Sequence, residues 1–190
     1  MMINFNHFEY VSTIDYPLKS SSVVFLNECP LKCIHCFNKS TWKALNIVNI
    51  DSVKEKILSS IPFIDAVVFS GGEPTKQINE LIELCYFSRI NKLLVGVETC
   101  GFYPDNLMKL KPFINKIFLD IKAPIDKPDE YYNITQNYKV LGNVLKTLSL
   151  DLPIEIRIVD MNNSKEIIDS LSGTKFKITI LPFIKHDEHI

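Results

Sequence analysis

Six short apolar runs, separated by stretches with helical spacing, leave this 190-residue chain few ways to fold. The runs lie at 22–26 (Ser-Val-Val-Phe-Leu), 66–69, 93–97, 116–121, 153–159 and 176–181. Most are continuously apolar and β-branched instead of alternating, as strands covered on both faces are. The intervening stretches at 52–60, 75–88, 104–110, 138–150 and 164–171 read as helices. Asp51 is placed to cap the first, with Glu55 near its first turn, and the second has apolar residues at 78, 81, 82, 85 and 86. Strands of this kind alternating with helices imply parallel βαβ units. Six strands fall short of the eight that close a standard barrel, and the chain is shorter than the typical ~250 residues of that fold. The expectation is therefore an α/β fold, an open partial (β/α)6 barrel with parallel strands, forming one domain over residues 1–190. Residues 5–11 read as a short edge strand and 12–17 as a turn. Linkers, internal repeats and low-complexity tracts are not evident.

Composition narrows the setting. Apolar residues make up 46 % and charged residues 23 %, an ordinary globular balance. Without a run of about 18 apolar residues, no membrane span is expected. The N-terminus has neither a basic nor an apolar signal region, so the five cysteines read as reduced and cytoplasmic. A net charge of -1 argues against a strong nonspecific nucleic-acid or anionic-membrane binder.

Three cysteines, Cys29, Cys33 and Cys36, follow the first apolar run in a C-x3-C-x2-C arrangement. A structural zinc normally takes four protein ligands in pairs, and no second pair follows. His35 lies between two of the cysteines, where a tetrahedral shell is awkward to close. Disulfides would need a secreted context and would leave one thiol unpaired. An iron–sulfur cluster suits thiolates better. Three ligands on a cube of four irons leave one iron open, as a reactive centre requires. A zinc-binding structural module stands as the non-enzymatic alternative. Cys85, at an apolar helical position, reads as core.

Polar residues sit just after the other runs: Gly71-Gly72-Glu73-Pro74, Glu98-Thr99-Cys100-Gly101, Asp120 and Lys122. In parallel α/β folds that edge binds ligands, so these groups should converge with the cysteine loop. The glycine pair allows close approach of backbone to a ligand, or simply a tight turn before a helix with Glu73 in its first turn. Glu98, Asp120 and Lys122 make either a ligand site or a surface salt bridge. Arg157 lies on an otherwise apolar strand and needs an anion, from a cofactor or from a structural carboxylate.

The cysteine spacing, with His35 before the last cysteine and the Gly71-Gly72-Glu73 turn downstream, resembles the signature of the radical S-adenosylmethionine (SAM) enzymes. That family generally has a partial-barrel core. The resemblance implies a [4Fe-4S] cluster on Cys29, Cys33 and Cys36, with SAM chelating the open iron. An electron from the cluster then splits SAM into methionine and a 5′-deoxyadenosyl radical that abstracts hydrogen. It also implies that Gly71, Gly72 and Glu73 lie at the SAM amino group.

Residues 98–101 and 119–122 resemble the D-T-N-G and L-D-L-K patterns of activating enzymes for glycyl-radical proteins. By that likeness Glu98, Thr99, Asp120 and the Phe118 carbonyl hold a monovalent cation or Mg2+, and Lys122 contacts SAM. Residues 156–159 resemble the I-R-x-V of strand five, which brings Arg157 to the cofactor. Residues 38–42 resemble the N-x-x-T-W of the pyruvate formate-lyase activase. Residues 13–17 resemble a stretch of the anaerobic ribonucleotide reductase activators. Departures are Glu28 for Gly, Phe37 for His, Glu98 for Asp and Cys100 for Asn. Ile184 stands for a His after Leu181-Pro182-Phe183, with His186 as its replacement, and 185–189 read as a solvated tail.

A chain this close to the core alone needs a macromolecular cover over its open side. The implied function is activation of a glycyl-radical enzyme, foremost an anaerobic ribonucleotide reductase, with a flavodoxin or ferredoxin-type reductant. The alternative is small-molecule chemistry similar to 7-carboxy-7-deazaguanine synthase, in which Glu98, Asp120 and the cation contact substrate.

Overall fold

The computed structural model describes residues 1–183. They form one eight-stranded sheet in the order β3-β1-β2-β4-β5-β6-β7-β8. The strands are β1 (Met2–Ser12), β2 (Ser21–Leu26), β3 (Ile47–Asn49), β4 (Ala66–Gly71), β5 (Leu94–Thr99), β6 (Lys116–Asp120), β7 (Ile154–Asp160) and β8 (Lys177–Pro182). From β2 to β8 every neighbouring pair is parallel, and those six strands are the six apolar runs. The sheet is open, with β3 and β8 at its edges.

The helices are α1 (Ile50–Ser60), α2 (Ile78–Ile90), α3 (Pro104–Leu110), α4 (Pro128–Thr135), α5 (Val140–Ser149) and α6 (Ser164–Ser170). Among the described residues, none is long and apolar enough to cross a membrane.

Four details differ from the sequence expectation. The first strand is not at an edge: β1 pairs antiparallel with β2 on one side and with β3 on the other. The three-residue β3 is too short to leave a periodic signal. Asn4, buried in β1, hides that strand's start. Its side chain accepts from Asn27 Nδ2 at 3.0 Å and Asn46 N at 2.9 Å, and donates to the Ala44 carbonyl at 3.0 Å. Secondly, α1 starts at Ile50, and its cap is Asn49, which accepts from Asp51 N at 3.1 Å, not Asp51. Thirdly, the helix expected from 75 opens as a 3-10 turn over Pro74–Gln77 and becomes α2 at Ile78. Fourthly, α4 was not expected. It begins with Pro128, Asp129 and Glu130, which suit a first turn, but buries only Tyr131 and Thr135, too few for a helical stripe.

Alternation within the strands divides the core. Val67, Phe69, Val97, Ile117, Leu119 and Ile156 belong to a large cluster with the helices. Val23, Ala66, Val68 and Phe118 point the other way and gather around Tyr16, which enters from the turn between β1 and β2. Tyr16 meets Phe118 edge-on with ring centroids 5.7 Å apart. Gly96 makes room for both: a Cβ there would lie 2.8 Å from the Phe118 ring and 3.3 Å from that of Tyr16. At the strand beginnings Glu155 accepts from Lys116 Nζ at 2.9 Å and Thr179 Oγ1 at 2.8 Å. The helix-free face is therefore filled with side chains low down and left open at the strand ends.

Candidate functional site

A cavity of about 510 Å³ opens at the C-terminal ends of the parallel strands. That is within the range usual for small-molecule and cofactor sites. Cys29, Cys33, Cys36, Gly71, Gly72, Glu98, Thr99, Asp120, Lys122 and Arg157 all line it. Sequence residues spread from 29 to 157 thus meet at one place, as the strand-end rule requires.

The cysteine loop is held from three sides. Glu28 N donates to the Thr41 carbonyl at 2.7 Å, and the Glu28 carbonyl accepts from Glu73 N at 2.8 Å. Lys32 N and Ile34 N donate to the carbonyls of Thr135 and Ile134 at 3.1 and 3.0 Å, which is what α4 contributes. Asn137 Nδ2 donates to the Pro30 carbonyl at 3.2 Å. All three thiols are free.

Cys33 is buried, and burial pushes its thiol up to about 11. A hydrogen bond with Cys100 holds the Cys29 thiol below its ordinary value, against burial. The same bond, with burial and the nearby Glu73, raises Cys100 far above its own. Cys85 is fully buried in the core, as expected.

The glycines serve the loop first. Gly72 N donates to the Leu26 carbonyl at 2.7 Å. A Cβ on Gly72 would overlap the Glu28 carbonyl, and one on Gly71, where φ is +114°, would overlap the Leu26 backbone. Glu28 itself has φ +70°, a left-handed conformation that favours glycine. That explains why its position usually carries glycine.

Glu73 is fully buried and does not line the cavity. Its carboxylate accepts from Thr75 N at 3.1 Å, from Cys100 N at 2.8 Å and from the Thr99 hydroxyl at 2.8 Å, and bonds the Thr75 hydroxyl as well. It ties the end of β4 to the end of β5.

Glu98 departs from the expected cation set. Its carboxylate pairs with Arg157 and accepts from Ser70 Oγ at 2.5 Å. Glu98 and Arg157 stand on β5 and β7 with β6 between them, a span of about 10 Å between strands that only two long side chains bridge. Arg157 also donates to the Asp15 carbonyl at 2.5 Å and lies 3.7 Å over the Phe118 ring. Burial pulls its pKa down to about 10, so it stays protonated at neutral pH. Its Nε is buried without a partner among the described residues.

Thr99 is likewise engaged, donating to Glu73 and accepting from Gly101 N at 3.0 Å. Of the four expected cation ligands, Glu98 and Thr99 are therefore occupied by protein groups. Asp120 pairs with Lys122 at 3.1 Å. Burial alone would lower the Lys122 value, but the facing Asp120 carboxylate outweighs it, so the lysine is a cation at neutral pH. Glu98 and Asp120 thus each carry a base, while the third acidic residue of the lining, Asp15, has its carboxylate bonded by the Ser12 hydroxyl.

Sequence reasoning missed several contributors. Ser70 shares the inward parity of Ala66 and Val68, so strand alternation alone points to it. Asp15 acts through its carbonyl, which leaves no side-chain signal. Trp42 Nε1 lies 3.3 Å from Cys36 Sγ, a contact set by the fold of the loop. Phe37 and His35 both meet Phe183 at the rim, with centroids 5.5 and 6.2 Å apart. The expectations for Ile184, His186 and the tail lie outside the described residues.

Comparison with known proteins agrees with this geometry. A putative glycyl-radical enzyme activating enzyme of Methanocaldococcus jannaschii is 33 % identical over 145 residues, 74 % of this chain and 59 % of the relative. A protein of the same description from Haemophilus influenzae is 30 % identical over 107 residues, 54 % of this chain and 41 % of the relative. The pyruvate formate-lyase-activating enzyme of Staphylococcus aureus is 29 % identical, covering 92 % of this chain and 78 % of its own. The chain thus spans about half the length of the first two relatives. Among solved structures, TYW1 with a lysine-pyruvate adduct superposes with a TM-score of 0.67 at 17 % identity, over 87 % of this chain and 65 % of that one. QueE from Escherichia coli gives 0.56 at 17 % identity, over 95 % and 94 %. At that identity both speak for the fold alone. The sequence model of the radical SAM superfamily matches residues 23–176, from the strand that feeds the cysteine loop to the last βα unit, and with the three thiols gathered at the strand ends this chain belongs to that superfamily.

Proposed function

We propose that the chain is a radical SAM activase that generates a glycyl radical on a partner protein. The observation that carries this reading is the placing of three free thiols at one cavity with the Gly71-Gly72 turn and a protonated Lys122. Three thiolates suit an iron–sulfur cluster, and Lys122 beside them offsets their negative charge. Lys122 and Arg157 both line the cavity and stay protonated at neutral pH, which suits an anionic group there. These residues fit a [4Fe-4S] cluster and a cofactor with a carboxylate. When bound, cluster and SAM supply a one-electron cleavage that yields a hydrogen-abstracting radical.

The chain's own contribution is binding, orientation and exclusion of water. Cys29, Cys33 and Cys36 hold the cluster. Gly71, Gly72, Thr99, Asp120 and Lys122 present their cavity-facing atoms to SAM. Glu73 acts from behind, fixing Thr99 and Cys100. Glu98 and Arg157 act as a pair that sets the cavity wall. Because both carboxylates are already neutralised by bases, binding of SAM needs no added monovalent cation or Mg2+.

A protein substrate is favoured over a small molecule. The small-molecule alternative uses Glu98 to touch substrate, and Glu98 is committed to Arg157. The cavity rim is also apolar and exposed, with Ile14 at 79 %, Phe37 at 46 % and Phe183 at 39 %. Such a rim suits a covering polypeptide. Within that class, an anaerobic ribonucleotide reductase is the target we propose, on the Thr13–Pro17 resemblance. A flavodoxin or ferredoxin-type protein would deliver the electron.

The test is anaerobic reconstitution followed by chemical reduction. Near four irons and four sulfides per chain, release of 5′-deoxyadenosine, and a glycyl-radical EPR doublet on the added partner are expected. Absence of iron uptake refutes the cluster. Cleavage of SAM without any radical on glycyl-radical proteins refutes the activase assignment alone.

A further inference from the structure

Trp42 is the single tryptophan of the chain and closes the 3-10 turn Lys39–Trp42. The turn is fastened at both ends. Thr41 is buried, and its amide and hydroxyl donate to the Asn38 carbonyl at 2.9 and 2.7 Å. The Thr41 carbonyl receives Glu28 N at 2.7 Å from the start of the cysteine loop. The indole is thereby aimed back at that loop, with Nε1 3.3 Å from Cys36 Sγ. An indole N–H donates and cannot accept, so the sulfur is the acceptor.

We propose that Trp42 sets the reduction potential of the cluster by donating its indole N–H to the Cys36 sulfur. This rests on the cluster reading above. Reduction adds one negative charge that spreads onto the ligating sulfurs. A fixed donor stabilises that charge more than the oxidised state, and so raises the potential. Trp42 touches a cluster ligand and not the reacting atoms, so it is a positioning residue.

The test uses full-length reconstituted protein without SAM, with the cluster couple followed by EPR during potentiometric titration. Trp42→Phe keeps an aromatic ring but removes the donor. It should bind the same iron and sulfide, yet hold about tenfold less reduced cluster at a fixed potential, a shift of about 59 mV for a one-electron couple. Growth on 5-fluorotryptophan replaces only this residue, keeps the indole shape and makes the N–H a stronger donor. It should move the midpoint the other way, which a merely structural role would not. Midpoints unchanged in both proteins at full iron content overturn the proposal. Should Trp42→Phe fail to load, the fluorotryptophan protein decides alone, an upward shift supporting the proposal and an unchanged midpoint overturning it. Failure of the unmodified protein to bind iron overturns the cluster reading and this proposal with it.

Discussion

The Glu98–Arg157 pair offers the sharpest perturbation of the cavity wall. The Arg157 side chain is 5 % exposed and that of Glu98 21 %, the latter toward the cavity. Glu98→Gln leaves a buried guanidinium facing a neutral amide. Breaking a fully buried pair costs about 3–5 kcal/mol, and retention of the Asp15 carbonyl and the Phe118 ring places this change near the bottom of that range, at about 3 kcal/mol. Arg157→Met leaves a carboxylate that still has Ser70 and can take water from the cavity. It loses the tether to the turn that carries Tyr16, again about 3 kcal/mol by the same reasoning. With both changed, no charge is stranded. The double variant should lose about 3 kcal/mol in all, for a coupling energy of about 3 kcal/mol. Urea unfolding of the apo protein without oxygen, followed by circular dichroism, measures this. With slopes of about 2–3 kcal/mol/M, each single variant should lose about 1 M in midpoint. Coupling below about 0.5 kcal/mol would mean that the two side chains act independently and that the pair does not organise the wall.

Three further outcomes are expected. Gly72→Ala should lower the melting temperature and reduce iron incorporation, because its Cβ overlaps the Glu28 carbonyl. Gly142→Ala, in α5 with nothing within 4 Å of its Cβ, should stabilise by about 0.4–1 kcal/mol; equal effects of the two would refute the packing argument. Glu28→Gly should raise the melting temperature by about 2–4 °C, since relief of the left-handed backbone outweighs loss of the half-exposed contact to Lys76 at 3.2 Å; a fall of that size would show the ion pair to matter more. For Glu155, burial raises the carboxyl value, but the bonds from Lys116 and Thr179 and the charge of Lys177 outweigh it and hold it below 4.5. Its contribution is present above about pH 4.5 and is lost as pH falls through the lower folded value. Melting curves from pH 6 to 3.5 should therefore show a shallower acid limb in Glu155→Gln, and parallel limbs would refute the assignment.

What was legible in the sequence follows the range of the forces involved. The six parallel strands were readable because burial on both faces writes a continuous apolar run. The site residues were readable because parallel strands deliver their ends to one edge. Partnerships across the sheet were not. Glu98 and Arg157 lie 59 residues apart and meet over an intervening strand. Nothing local to either says that the guanidinium will pair with a carboxylate that was expected to face a metal cation. Likewise α4 buries two residues and exists to hold the cysteine loop, a reason that only tertiary structure supplies. Glu73 looked like a ligand because of its motif, while its environment makes it the brace between two strand ends.

The departures from the family pattern are connected by their contacts. At Glu28 a side chain is tolerated in a left-handed backbone, and its carboxylate takes Lys76 from the turn that follows Glu73. At Cys100 a thiol stands in for an amide, and Cys29, burial and Glu73 raise its value, so it keeps its proton at the end of β5. At Glu98 an added methylene lets the carboxylate reach Arg157, which is tied in turn to the carbonyl of Asp15. An Asp at position 98 would be too short for that reach. Glu98→Asp should therefore loosen the pairing with Arg157 and turn a second carboxylate toward the cavity beside the Asp120–Lys122 pair. That variant, unlike the native protein, should bind SAM more tightly as K+ or Mg2+ is added. Titration calorimetry with the reconstituted enzyme reads the difference, and an identical cation response in both proteins would show that the guanidinium does not take the cation's place.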